Sequence, residues 1–458
     1  MLKGMRLAAR LSTPWLALAL LCSSAHADDM RVRLQGAMDV VRQRLGLHGV
    51  TASVVTPSGA WTLASGNSYV GVPMRPDHVL AIGSNSKTFA AILLLRFQER
   101  GLLNLDTPIG RFLPPLTNVD TSITVRQLLQ HTSGLGDYSA TQAYRDSTLA
   151  RATRLWTTSD LVKFIPAPQF APGTSWSYCN TNYLLAGMIA QQVGGASLPV
   201  LVRNEITGPL GLDSTRYVPQ ELVLGTLAHR WINGQDISAR PMTAEWSGAW
   251  AAGAIVSTAG EMTELYEALF SGRLLSSASF NQMLQFTGPD DYGLGISRKA
   301  VGGQTVIGHT GDIRGYTSAA MRVPALSASV VVLANDEPAT PLAVADTLIR
   351  VIAQATLGVP PLSEPSSKHV LRALVPNPAA GPVRIVCTSP RAGEAELAVF
   401  RVDGRRVRTV SRGPWIAGPH ELVWDGRDDA GREVAPGVYL VRVTVPGARE
   451  TRRIVRLR

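Results

Sequence analysis

Ser84 and Lys87 stand three residues apart in AIGSNSKTFAAILLLRF, residues 81–97. The apolar run after them reads as a helix over 85–100, stopped by Gly101. A serine hydroxyl is a weak nucleophile until a base takes its proton. A lysine amine can be that base only when neutral, which needs desolvation or a positive neighbour. Positions i and i+3 share a helix face, so this spacing sets the Ser84 oxygen beside the Lys87 amine. The N–H groups at a helix start favour the negative charge of acyl transfer and disfavour an ammonium. Lysine is also scarce: it occurs only at 3, 87, 163, 299 and 368, against 39 arginines. Arginine cannot deprotonate in a protein, so a lysine written into an apolar helix start carries information. The plainer reading makes Ser84 an N-cap and lets Lys87 snorkel. Ser86, one residue from Lys87, lies off the shared face and reads as structural.

Two later segments change the weight of these readings. PGTSWSYCNTNYLLAGMI sets Tyr178, Cys179 and Asn180 just before a helix ending near Gly194. VIGHTGDIRGYTSAAM sets His309, Thr310 and Gly311 at the end of a strand. The ordered motifs S-x-x-K, Y-x-N and H-T-G resemble those of the serine β-lactamase and DD-peptidase superfamily. The likeness is closest to the branch of class C β-lactamases, D-alanyl-D-alanine carboxypeptidases, related esterases and D-aminopeptidases. It covers residues 30–357, with TVRQLLQHTSGL (124–135) and AAGAIVSTAGEMTELYEAL (251–269) as supporting segments. Tyr178 replaces the first Ser of the class A S-D-N motif, and His309 replaces the Lys of K-T-G.

The resemblance implies roles. Ser84 forms the acyl-enzyme. Lys87 and Tyr178 share the acid–base work, and which of them is the base in each step stays open. Asn180 meets Lys87 and the substrate amide. His309, Thr310 and Gly311 line the opposite wall, with Thr310 facing a substrate carboxylate. The N–H groups of Ser84 and Asp312 form the oxyanion hole. The implied fold is α/β (α+β): an antiparallel sheet flanked by helices, with a helical lobe. No metal or other cofactor is implied, and the chain has no G-x-S-x-G, H-E-x-x-H, phosphate loop or Cys/His cluster. The implied substrates are small peptides, amides, esters or lactams, peptidoglycan among them. The activity closest to the motifs is that of a D-alanyl-D-alanine carboxypeptidase or a related amide or ester hydrolase. The alternative is a penicillin-binding or sensing module that keeps the pocket without turnover.

Other candidates have structural explanations. His131 and Ser133 fit a helix closing at Gly134. Thr258 and Glu261 form a capping box. Arg314 has two readings, a contact to a substrate carboxylate and the commoner surface role, and Cys179 reads as a core thiol.

These residues need elements to hold them. Residues 28–46 read as an amphipathic helix, and 49–66 as two strands around a Pro-Ser-Gly turn. Residues 105–270 read as mostly helical. Strands return in YGLGISR, GQTVIGH, GYTSAAMRV and SASVVVLAN, and PLAVADTLIRVIAQATLG closes the unit as a helix. Strands from both ends of this region are expected to share one sheet.

Residues 1–27 read as a signal peptide: a basic start, a short apolar run and Ala25-His26-Ala27 before a cut at Asp28. That predicts an exported protein: periplasmic, cell-surface or extracellular. No transmembrane anchor is expected. Residues 28–357 form the hydrolase region, 358–369 a Pro/Ser linker, and 370–458 an Ig-like β-sandwich. The last segment resembles the FlgD-like Ig module and type IX secretion sorting domains, through Trp424-Asp425-Gly426 and Pro436-Gly437-Val438-Tyr439. It would meet secretion machinery or the cell surface. The net charge of +10 divides into +3 in residues 1–27, zero in 28–369 and +7 in 370–458. The catalytic region is therefore neutral, and nucleic acid is not an expected partner. Cys179 and Cys387 fall in different units and are not expected to pair.

Overall fold

The computed structural model describes residues 14–357, 371–375, 377–389, 391–416 and 418–457. The linker and residues 1–13 lie outside them. The chain divides into two compact units, Met1–Leu357 and Gly358–Arg458.

The first unit is built on a seven-stranded antiparallel sheet. Its strands are β1 (Gly49–Thr56), β2 (Gly59–Tyr69), β3 (Val72–Pro73), β4 (Ser297–Val301), β5 (Gln304–Ile313), β6 (Tyr316–Val323) and β7 (Ala328–Ala334). The order is β3-β2-β1-β7-β6-β5-β4, so the two ends of the region meet at the β1–β7 pair. Every residue of β7 is buried, because both sheet faces are covered. Its alternation sends Val330 and Val332 to one face and Val331 and Leu333 to the other.

On the first face lie α1 (Pro14–Leu45) and, at the far end of the unit, a helix over Pro341–Leu357. Met30, Leu34, Met38 and Val41 repeat at helical spacing and pack with Val344, Leu348 and Ile352. The described helix runs unbroken through the stretch expected to precede a cut at Asp28. Among the described residues no single helix is long and apolar enough to cross a membrane.

The second face carries α2 (Ser86–Glu99) and the helical lobe, in which α3 (Val125–Leu129) and α4 (Asn180–Gly194) lie. It also carries a helix over Ala259–Phe270, tied to β1 by a buried bond of 2.7 Å between the Ser53 and Thr263 hydroxyls. Residues Ser86–Leu95 are all buried, and Phe89–Leu95 are apolar on every side because protein surrounds this part of α2.

Some expected boundaries move. Helix α2 starts at Ser86, because Gly83–Asn85 wind into a tighter 3-10 turn first. YGLGISR is a strand only from Ser297, because Gly293 N–H bonds back to the Ile296 carbonyl and turns the chain at Gly295, φ 67°. The helix in TVRQLLQHTSGL ends at Leu129 rather than Gly134. Thr258 caps the helix that follows it, but the Glu261 side chain completes no box, bonding instead to Ser214 N and Thr215 Oγ1.

The second unit is a β-sandwich. One sheet pairs β8 (Leu371–Val375), β9 (Val383–Ser389) and β12 (Gly418–Trp424). The other, in order β11-β10-β13-β14, uses β10 (Gly393–Arg401), β11 (Arg406–Trp415), β13 (Gly437–Val445) and β14 (Ala448–Arg456). Leu397, Val399, Val441, Val443, Ile385 and Trp424 fill the space between them. This core is separate from both cores of the first unit. Leu397→Ala should therefore cost the tail about 2–5 kcal/mol. Calorimetry of the full chain should show the tail transition moving down while that of the first unit stays in place.

Candidate active site

Gly83 decides where Ser84 sits. Its φ is 52°, and a Cβ there would lie 2.6 Å from the Asp312 nitrogen and 2.8 Å from its carbonyl oxygen. Only glycine lets the turn before α2 lie this close to β5. Gly311 matches it from the other side, where a Cβ would come within 1.9 Å of the Ile82 oxygen. Asn85 Nδ2 donates to Ser318 Oγ at 2.8 Å, and Ser318 Oγ donates to the Ile82 carbonyl at 2.8 Å, which pins the turn to β6. Ser84 caps nothing: the residue before α2 is Asn85, with no side-chain cap. Ser86 is structural, donating to Gly83 O at 2.8 Å and accepting from Ile255 N at 3.1 Å.

Lys87 is fully buried. Its Nζ donates to Ser84 Oγ at 2.9 Å, to Asn180 Oδ1 at 2.8 Å and to the Ala252 carbonyl at 2.8 Å. Burial pulls its pKa down to about 7, and Asp137 opposes the shift. The partners fix the geometry of the neutral amine. Asn180 Oδ1 and the Ala252 carbonyl can only accept, so they hold both remaining N–H groups. The lone pair must then face the Ser84 hydroxyl.

Asn180 cannot turn its amide round. Its Nδ2 donates to Ser139 Oγ at 2.9 Å and Asp137 Oδ2 at 3.3 Å, leaving Oδ1 for Lys87. Asp137 also accepts from Asn180 N at 3.1 Å, at the start of α4 where a carboxylate suits the exposed N–H groups.

The Tyr178 ring lies 4.9 Å from Lys87 Nζ, and Tyr178 lines the same cavity as Ser84. Desolvation pushes the phenol well above its usual value, and the nearby Ser84 hydroxyl opposes this. Tyr178 is therefore protonated at neutral pH. Beneath it lies His131, with ring centroids 4.4 Å apart. His131 Nδ1 accepts from Cys179 N at 3.1 Å and from Asn182 Nδ2 at 2.9 Å, which places its proton on Nε2. Burial and Lys87 hold its pKa well below normal, so it is a neutral platform. Ser133 donates to Asn182 Oδ1 at 2.5 Å and completes this layer. Cys179 is buried and its thiol is pushed up to about 12.

Across the cleft, β4 pairs with β5 only as far as Gly308. From His309 onward the edge of β5 has no strand beside it and borders the cleft. His309 is neutral as well, held down to about 3 by burial and by Lys87. Its Nε2 bonds to the Tyr292 hydroxyl at 2.8 Å, while Nδ1 faces the Thr310 carbonyl. Thr310, Gly311 and Asp312 line a cavity of about 460 Å³ with Ser84 and Tyr178. The Asp312 carboxyl is raised to about 6 by desolvation and by Glu337. A second cavity of about 380 Å³ opens on the other side of Ser84, walled by Asn180, Tyr144, Glu245 and Arg314. Among the described residues no group of three His, Cys, Asp or Glu side chains is placed to hold a metal.

All eight residues singled out in the three motifs thus border one cleft or bond within its wall. Four others were not singled out for it by sequence: Asp137, Ala252 through its carbonyl, Tyr292, and His131, which had seemed explained by a helix end. None has a local spacing that would flag it.

Comparison with known proteins bears on the family and the fold. The Beta-lactamase family model matches residues 37–354, and that of the FlgD Ig-like domain matches 379–448. Penicillin-binding protein 4 of Amycolatopsis lactamdurans is 30% identical over 194 residues, 41% of this chain and 49% of the relative. A D-aminopeptidase of Cereibacter sphaeroides is 28% identical over 277 residues, 58% of this chain and 52% of the relative. The chain thus spans about half the length of these curated relatives. The D-amino acid amidase of Ochrobactrum anthropi SV3, solved with L-phenylalanine amide, is 28% identical with a TM-score of 0.63. That match covers 72% of this chain and 99% of the amidase.

Asp137 raises the Lys87 pKa. Asp137→Asn keeps the shape and removes the charge, so Lys87 should lose its proton at a lower pH. The half-maximal pH for labelling Ser84 with a fluorophosphonate should fall; an unchanged or higher value would show that Asp137 does not act on Lys87 through charge.

Proposed function

The chain belongs to the β-lactamase family, and we propose that it is an exported serine hydrolase that opens amides or esters through an acyl-enzyme on Ser84. The reading closest to the site is a D-alanyl-D-alanine carboxypeptidase-like enzyme or a related D-amino-acid amide or ester hydrolase. The observation that carries it is the three-acceptor setting of Lys87, which leaves the neutral amine no direction for its lone pair except the Ser84 hydroxyl.

In this reading Lys87 is the base for acylation. It takes the Ser84 proton as the Oγ–carbon bond forms, and the carbonyl oxygen gathers negative charge towards the N–H groups of Ser84 and Asp312. The carbon–nitrogen or carbon–oxygen bond to the leaving group then breaks. Tyr178 gives its phenolic proton to the departing amine or alcohol and regains one from Lys87. Water next attacks the ester carbon and loses a proton to the same pair, and the Ser84 oxygen leaves protonated. One water is consumed, and an acid and an amine or alcohol are released. His309 carries no charge, so it shapes the strand edge, and Thr310 offers its hydroxyl to the leaving-group side. The exposed edge of β5 suits an extended substrate backbone laid alongside it.

Residues 1–27 would act as the export signal, giving a periplasmic, cell-surface or extracellular enzyme. Residues 370–458 would serve as a sorting or attachment module, a role that their match to the FlgD Ig-like domain supports.

The base must be neutral, so kcat/KM should rise with pH through about 7 and level above it, with about a tenfold loss per unit below. Ser84→Ala should lower kcat by about 10⁴-fold or more on any ester or D-aminoacyl amide that the protein turns over. A Ser84→Ala variant with full activity, or a stable Ser84 adduct with no turnover of esters, lactams or D-alanyl peptides, would sink the hydrolase reading.

A further inference from the structure

Tyr178 borders the larger cavity and is absent from the walls of the smaller one. If Tyr178 protonates the leaving group, the leaving group occupies the larger cavity and the acyl part must extend into the smaller. This argument rests on the acyl-enzyme reading above.

The smaller cavity has an unusual wall. Arg314 and Gly315 form the two-residue turn between β5 and β6, closed by the Ile313–Tyr316 pair. Both have positive φ, 31° and 91°. Asn, Asp or Gly is favoured at the first position of such a turn, and an arginine there is strained. The turn is held from outside, with Arg230 Nη1 donating to the Arg314 carbonyl at 3.3 Å and Gly315 N donating to Glu337 Oε2 at 2.7 Å.

The side chain is aimed as well as strained. Arg314 Nε lies 3.4 Å from Glu245 Oε1, and the Glu245 side chain is only 7% exposed. That ion pair draws one edge of the guanidinium towards Glu245 without a hydrogen bond. Among the described residues none accepts a hydrogen bond from any nitrogen of this guanidinium, and the Arg314 side chain keeps 35% exposure on the cavity wall. Glu245 is also 3.8 Å from Arg240 Nε, and its charge acts on the buried Arg230. With Arg145 and Asp312 on the same wall and Glu337 at the turn, four guanidinium groups meet three carboxylates, and the cluster stays net positive. Tyr144, Leu149 and Ala249 line the same cavity and would receive an apolar spacer.

We propose that this cavity is an acyl subsite for a substituent ending in a carboxylate, gripped by the free fork of Arg314. Guanidinium and carboxylate match in planar, paired hydrogen bonds. The preferred acyl donors would then be amides or esters of dicarboxylic or acidic acyl groups.

The full chain is tested with 4-nitrophenyl hydrogen glutarate and its neutral glutaramic ester, after subtraction of spontaneous hydrolysis. The ratio of kcat/KM should favour the carboxylate about tenfold or more. Arg314→Asn, which suits the turn better but removes a charge partner of Glu245, should bring that ratio to within about twofold of one at a temperature where the variant is folded. A second readout needs no chemistry at Ser84. Glutarate should raise the melting temperature of Ser84→Ala, glutaramide should not, and adding Arg314→Asn should remove the shift. A ratio near one in the native protein, a ratio kept in Arg314→Asn, or no glutarate shift would overturn the subsite. Hydrolysis that survives Ser84→Ala would instead overturn the nucleophile, while the glutarate shift still judges Arg314.

Discussion

A lysine amine with no exposed surface must be met by acceptors or lose its proton. Lys87 does both. Burial brings its pKa to about 7, and three acceptors surround the nitrogen. With the proton on, every N–H is satisfied. With it off, two acceptors that cannot donate keep their hydrogen bonds and turn the lone pair onto Ser84. The same cage therefore serves both protonation states without moving. Much of the surrounding structure can be read as what this cage requires. The buried first part of α2 supplies the desolvation, Asp137 and Ser139 fix the Asn180 amide, and the chain before β-strand Ile255–Ser257 brings the Ala252 carbonyl.

The sheet supplies the second requirement, a backbone edge beside the serine. Two glycines on facing segments, Gly83 and Gly311, each leave no room for a Cβ. Either substitution would push β5 away from the turn that carries Ser84. The close approach puts the Asp312 nitrogen next to the residue preceding the nucleophile, and it puts Ser84 between two cavities rather than at the bottom of one. Asymmetry then follows from a single side chain: the phenol of Tyr178 is reachable from only one of them.

How much of this the sequence disclosed depended on distance along the chain. Ser84 and Lys87 are one helical turn apart, so their meeting is a matter of local geometry, and the scarcity of lysine made it noticeable. The contact between Lys87 and Asn180 spans 93 residues, and only resemblance to known motifs pointed there. Asp137, Ala252 and Tyr292 act across the fold through single contacts that no periodicity marks. His131 was misjudged for a physical reason. A histidine after a short helix looks like an end signal, yet its φ of 64° swings the ring under Tyr178. For Arg314 the sequence left a surface role and a substrate contact side by side, because its pairing with the buried Glu245 comes from a helix about 70 residues earlier. For the fold, alternation and short apolar runs were enough for the longer strands of the main sheet, but not for the two-residue β3. Where the backbone turned on a hydrogen bond rather than on hydrophobic pattern, as before Ser297, the boundary could not be seen.

The three basic groups around Ser84 explain why His309 can stand where relatives of class A type carry lysine. Lys87, His131 and His309 lie close enough for Lys87 to depress the pKa of both imidazoles. In a desolvated space such a group has room for about one proton. The hydrogen bonds decide which residue keeps it. His131 Nδ1 is occupied by two donors, and its remaining N–H faces aromatic rings instead of an acceptor that would reward a charge. His309 is spent between a phenol and a carbonyl. Lys87 alone has three oxygen acceptors and the field of Asp137. A permanent cation at 309 would add to the burial that already draws Lys87 down and would empty it of its proton at neutral pH. A neutral histidine leaves Lys87 near the midpoint of its titration, able both to accept the serine proton and to return it.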